Sequence, residues 1–137
     1  MTEEKTQLSL PSRIDSIAEA AAAAADVAKR VGLGEEAAFG LDMAVREAVT
    51  NAVLHGNRQD EAKRVELSFT EVGGELVVTV RDEGTGFDPA QVADPTAAEN
   101  LLKTSGRGIL FMRTFMDTVE WEPGTGGGTV VRMTKKI

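Results

Sequence analysis

The chain has 137 residues, 42% of them hydrophobic, with no cysteine, one histidine and a formal net charge of −7. Disulfides, thiolate metal sites and His-rich metal clusters are thereby excluded, which leaves at most a hard cation held by oxygens. The 15 Lys and Arg lie scattered among 22 Asp and Glu, which argues against direct nucleic-acid binding, and no apolar run suits a bilayer span or a signal peptide, so the expectation is one cytoplasmic domain over residues 1–137.

Residues 6–10 alternate, with Leu8 and Leu10 on one side, and Pro11 ends the run, which predicts a short edge strand. Ser12 or Asp15 can cap the helix that follows. From Arg13 to Val31 apolar residues recur at helical spacing (Ile14, Ile17, Ala21, Ala24, Ala25, Ala28) until Gly32 supplies a stop. Its alanines reflect either helix propensity alone or close packing against the next helix. Gly34, Glu35 and Glu36 open a second helix, with acids where the dipole favours them, and Gly56 closes it.

That second helix is the centre of the chain. Over Leu41 to Asn57, Leu41, Val45, Ala48 and Ala52 share one apolar line, and Val49 and Val53 make much of the opposite side apolar. Beside them Glu47, Asn51 and His55 follow at i, i+4 and i+8, placing a carboxylate, an amide and an imidazole along one edge. Such an edge borders a cleft, and a fixed Glu beside a buried face needs a partner or a task.

After a polar loop at 57–62, Val65, Leu67 and Phe69 alternate with polar residues. Beyond Gly73 and Gly74, Leu76, Val78 and Val80 do the same, which predicts a hairpin. The second strand runs into Asp82-Glu83-Gly84-Thr85-Gly86. Residues 88–105 read as a loop. A helix is expected from about Ile109 to Met116, with Leu110, Phe111 and Phe115 on the sheet. Two last strands contain Val119 and Trp121, then Val131 and Met133, joined by the glycine-rich segment 124–128. The order implies a two-layer α/β (α+β) sandwich, with helices on one face of a mostly antiparallel sheet.

Each glycine cluster has a local reading. Gly84 and Gly86 follow a strand, where the backbone can approach a ligand, and Gly106 and Gly108 open a helix, whose free amides favour anions. Neither a phosphate-loop GxxxxGK[ST] nor a GxGxxG after a strand is present. Taken in order, however, ExxxN on a helix, DEGTGF after a strand, GRG before a helix and GGGT before the last strand resemble the GHKL ATPases. That family includes gyrase-type topoisomerases, a chaperone class, histidine kinases and MutL-like repair proteins. Within it, REAVTNAVLHG at 46–56 and SGRGILFMRTFMD at 105–117 look most like the anti-sigma factor serine/threonine kinases.

The resemblance implies a Bergerat ATP-binding fold and roles for particular residues. Asp82 would accept a hydrogen bond from the adenine amino group, with Gly84 and Gly86 bringing backbone against the base and Thr129 supporting the pocket. The alternative for Asp82 is a strand-end turn residue. Asn51 would ligate Mg²⁺, and Gly106 and Gly108 would offer amides to the phosphates. Arg107 would reach the γ-phosphate or a partner, or else is a solvated arginine. Glu47 would be the general base. His55 would contact phosphate or order the loop, or simply pair with the helix dipole. The implied activity is ATP-dependent phosphorylation of a serine or threonine on a STAS-domain anti-anti-sigma protein, by a homodimer that also holds a sigma factor. The competing reading is a nucleotide-gated binding module without phosphotransfer.

Overall fold

The computed structural model describes residues 4–57, 60–84, 112–124 and 127–137, without the side chains of Glu4 and His55. Five strands, β1 (Glu4–Pro11), β2 (Arg64–Val72), β3 (Glu75–Arg81), β4 (Thr118–Pro123) and β5 (Thr129–Lys136), form one antiparallel sheet in the order β1-β2-β3-β5-β4. Helices α1 (Asp15–Val31) and α2 (Glu35–Asn51) connect β1 to β2. This is the helix-and-antiparallel-sheet sandwich expected from the element order, with β1 on an edge.

Strand alternation decides which face is covered. Val65, Leu67 and Phe69 of β2, Leu76, Val78 and Val80 of β3, and Val131 and Met133 of β5 all point to the buried side. The register sets them opposite one another, Leu67 beside Val80, Phe69 beside Val78, and Val78 beside Met133. Glu66, Ser68, Thr79 and Arg132 occupy the other, solvated face, where the Ser68 and Thr79 hydroxyls pair. Gly73 and Gly74, at φ 58° and 79°, make the two-residue turn between β2 and β3, a conformation that suits the twist of the flanking strands.

The alanines of α1 divide between the two explanations. Ala20, Ala21, Ala24 and Ala28 are buried and let α1 lie close to α2, whereas Ala18, Ala22 and Ala25 are exposed and contribute propensity only. Ile14 departs from its expected place in the core. It is the N-cap of α1 and is exposed, without a side-chain cap, because Ser12 and Ser16 donate instead to the carbonyls of Lys63 and Pro11, each at 2.7 Å. Gly32 ends α1 at φ 79°, as expected of a left-handed C-cap.

The central helix does not run straight to Asn57. Its α-helical part ends at Asn51 and Ala52–Gly56 form a π turn, closed by the Asn57 amide donating to the Ala52 carbonyl at 2.8 Å. Residues 112–115 are helical, and the preceding part of the expected 109–116 helix lies outside the described residues. Its core-facing side chains are Met112 and Met116. Phe115 does not pack on the sheet as expected, but meets Phe39 of α2 edge to face, ring centres 5.8 Å apart.

Candidate functional site

The C-terminal end of α2, the C-terminal end of β3 and the start of β5 converge. Ala48, Asn51 and Ala52 from the helix, Val80 and Asp82 from β3 and its exit, Trp121, Thr129 and Val131 from the last two strands, and Met112 line one pocket. Its walls are mostly apolar with three polar side chains, Asn51, Asp82 and Thr129. Three of the residues expected to cooperate are thus brought together.

Asp82 is almost fully buried and is held by backbone. Its Oδ1 accepts from the Gly84 amide at 3.0 Å and the Thr129 amide at 3.2 Å, while its own amide donates to the Thr129 carbonyl at 3.0 Å. Burial raises its pKa, opposed by those two amides and by the nearby charges of Lys63 and Arg81. Among the described residues both hydrogen bonds to the carboxylate end on Oδ1, which leaves Oδ2 with acceptor capacity there.

Close backbone contact shapes this corner. A Cβ on Gly56 would fall 2.3 Å from the Asp82 carboxylate, one on Gly84 would fall 1.7 Å from the Gly56 carbonyl oxygen, and one on Gly128, at φ 80°, would meet the Asp82 carbonyl. Gly56 therefore does more than close a helix: its missing side chain is what lets the π turn rest on the exit of β3.

On the side of α2 next to this corner, two polar residues carry unsatisfied atoms. Asn51 is 3% exposed, yet neither its Oδ1 nor its Nδ2 has a hydrogen-bond partner among the described residues, and the same holds for the buried Oε2 of Glu47 one turn earlier. A buried polar atom without a partner costs roughly 1–3 kcal/mol, and three such atoms lie along this one helix edge. Burial also raises the Glu47 pKa. Glu47 is not among the lining residues of the pocket as described; it stands beside it. No cluster of three or more His, Asp or Glu able to hold a metal occurs among the described residues. Magnesium fits this set nonetheless, because it takes one or two protein oxygens plus phosphate and water, and Asn51 Oδ1 is such an oxygen.

The backbone of His55 lies in the π turn, so the i+8 spacing from Glu47 does not continue the α-helical edge there, and its side chain is outside the described residues. Gly86, Gly106, Arg107 and Gly108 also lie outside them.

A residue expected only at the end of the central helix and the start of a polar loop proves central. Asn57 is 1% exposed. Its Nδ2 donates to Ser12 Oγ at 2.7 Å and to the Arg64 carbonyl at 2.9 Å, while its Oδ1 accepts from the Glu83 amide at 2.7 Å. No local pattern announces it, since all three partners are distant in sequence or belong to other elements.

Comparison with known proteins gives a concordant picture. Residues 10–135 match the histidine kinase-like ATPase domain family. The chain is similar to the anti-sigma F factor of Clostridium perfringens (strain SM101 / Type A), 38% identical over 96 residues that cover 69% of each chain. It is also similar to the anti-sigma F factor of Bacillus subtilis (strain 168), 36% identical over 95 residues, 68% of this chain and 65% of that one. Among solved structures, the catalytic domain of the histidine kinase ThkA has the same fold, with a TM-score of 0.59 at 13% identity over 97% of this chain and 95% of that one. None of the described helices is long and apolar enough to cross a membrane.

Proposed function

The chain belongs to the histidine kinase-like ATPase family, in its anti-sigma factor type, and from that premise we propose that residues 1–137 form one ATP-dependent serine/threonine protein kinase domain. Its substrate is a STAS-type anti-anti-sigma protein. As a homodimer in the cytoplasm it also sequesters a sigma factor, the role that the names of its relatives suggest. The observation that carries the reading is the polar edge of α2, where Glu47 and Asn51 keep buried atoms that have no partner among the described residues, beside a pocket lined by Asp82 and Thr129.

In this reading Asp82 Oδ2 accepts from the adenine amino group, while Gly84 and Thr129 keep the carboxylate aimed. Gly86 brings further backbone to the base, Gly106 and Gly108 offer amides to the phosphates, and Arg107 and His55 serve the phosphate end. Asn51 Oδ1 is the protein ligand for Mg²⁺, which when bound neutralises charge on the phosphate oxygens. Glu47 takes the proton from the acceptor hydroxyl as that oxygen bonds to the γ-phosphorus and the bond to ADP breaks. A base in this position contributes typically 10² to 10⁴ in rate, and positioning supplies much of the remainder. A raised pKa, caused by burial, makes Glu47 a stronger base than an exposed carboxylate.

The test is intact-mass spectrometry of STAS-domain proteins incubated with the chain, ATP and Mg²⁺, beside Glu47→Ala, with nucleotide binding followed by calorimetry. A gain of one phosphoryl group that requires Glu47 is expected. ATP bound with no phosphoryl gain would sink the kinase reading in favour of a nucleotide-gated binding module, and hydrolysis without any acceptor would reduce it to an ATPase.

A further inference from the structure

Near the pocket lies one buried polar cluster that the proposed chemistry leaves unused. Asn57 sits at its centre and its amide orientation is forced, because the Arg64 carbonyl can only accept and the Glu83 amide can only donate. Ser12, itself fully buried, accepts from Asn57 and donates to the Lys63 carbonyl. Glu83 is held a second time, its Oε2 accepting from the Arg64 amide at 3.0 Å. Glu83 stands between Asp82 and Gly84, the two residues joined by the Oδ1 bond in the pocket. At its other end Asn57 closes the π turn that follows Asn51.

We propose that Asn57 is a positioning residue for nucleotide binding, its Oδ1 fixing the Asp82–Gly84 backbone through the Glu83 amide. The inference rests on the reading of the pocket as a nucleotide site. Among the described residues, the loop leaving β3 is held against the turn that follows α2 by this bond and by the bare contacts of Gly56 with Gly84 and with the Asp82 carboxylate, into which no side chain fits. Asn57 does not touch the ligand. It sets where the Asp82 carboxylate stands, so its weight falls on the base end of the nucleotide and is the same for ATP and ADP.

The experiment compares Asn57→Ala, Asn57→Asp and Ser12→Ala with the wild-type chain, each with its melting temperature and its affinities for ATP and ADP. Asn57→Asp retains an acceptor for the Glu83 amide but loses both donors, and Ser12→Ala removes one anchor while leaving Oδ1 in place. Asn57→Ala should weaken ATP and ADP equally, by roughly three- to tenfold, the weight of one neutral hydrogen bond. Asn57→Asp and Ser12→Ala should melt lower yet bind both nucleotides within about twofold of wild type, within the weight of that same bond. If Asn57→Ala does not fold, Asn57→Ser replaces it, since the shorter hydroxyl cannot reach the Glu83 amide. Affinity that tracks melting temperature across the variants would show a structural role only and overturn the proposal. Affinity unchanged in every folded variant would overturn it too, whereas a wild-type chain that binds neither nucleotide would overturn the reading of the pocket instead.

Discussion

Gly84→Ala tests how tightly the pocket corner is built. The new Cβ would lie 1.7 Å from the Gly56 carbonyl oxygen, and real Cβ atoms essentially never come within 3.0 Å, so the two segments must separate by at least 1.3 Å. Both sides are backbone, and no rotamer can relieve the clash. Overpacking of this kind costs about 1–3 kcal/mol and occasionally more, and the shift also strains the 3.0 Å bond from Gly84 to Asp82. Taking about 3 kcal/mol, and an unfolding entropy of about 2.1 cal/mol/K per residue over 137 residues, the melting temperature should fall by about 10 °C. Differential scanning calorimetry measures this, and titration calorimetry on the folded variant should find ATP and ADP weakened together. Gly34→Ser is the control, at a helix N-cap with nothing within 4 Å and an ordinary φ, where little change is expected. A Gly84→Ala chain that melts within about 2 °C of wild type, under 1 kcal/mol on the same scale, and binds ATP normally would refute the argument that these backbones must touch.

Three further outcomes follow from the same structure. Asp82→Asn keeps an oxygen for the Gly84 and Thr129 amides but replaces the other carboxylate oxygen by a donor; ATP affinity should drop by about 10- to 100-fold, the weight of a hydrogen bond to a charged group, with the melting temperature little altered. Glu47→Gln should raise the melting temperature at neutral pH. Burial raises the folded-state pKa of Glu47, so its ionised form destabilises the fold above that pKa and the protonated form does not; the advantage of Gln should therefore shrink as the pH falls through the Glu47 pKa, and an advantage constant from pH 7 to pH 4 would contradict the assignment. Gly74→Ala meets no neighbour but must adopt φ +79°, which costs about 1 kcal/mol and should lower the melting temperature by about 3–4 °C with ATP affinity unchanged.

Legibility in the sequence followed the range of each interaction. The alternation of Val65, Leu67 and Phe69 with that of Leu76, Val78 and Val80, separated by Gly73 and Gly74, encodes a hairpin within one short stretch, and the apolar line of α2 encodes its buried face. Periodicity was misleading where a residue is in phase but at the end of an element: Ile14 repeats with Ile17 and Ala21, yet it precedes the first turn of α1 and faces water. Phe115 was misplaced for a related reason. Its neighbours Met112 and Met116, four residues apart, take the sheet-facing line, and Phe115 is left for the gap beside Gly40. The π turn at 52–56 leaves no periodic signature, since it adds one residue once. Asn57 and Gly56 act through β3 and the linker after β1, and such contacts exist only once the sheet has formed.

The two ends of the pocket follow opposite rules of satisfaction, which separates affinity from turnover in the proposed enzyme. At the base end the Asp82 carboxylate is held by two amides, the adjoining loop by Asn57, and glycine backbones close the remaining space, so this end is already arranged before any ligand arrives. On the α2 edge Glu47 and Asn51 retain buried atoms with no partner among the described residues, a desolvation cost that a polar ligand there would offset. Occupancy of that edge should consequently stabilise the chain beyond the contribution of the base: at equal multiples of their dissociation constants two ligands stabilise equally, so any excess appears as tighter binding of ATP with Mg²⁺ than of adenosine. Substitutions at Asp82, Gly84 or Asn57 should then shift adenosine and ATP alike, whereas substitutions at Asn51 should narrow the gap between them. An Asn51→Ala chain that loses the same factor for adenosine as for ATP with Mg²⁺ would show that the helix edge belongs to the base end after all, and that the phosphates are bound elsewhere.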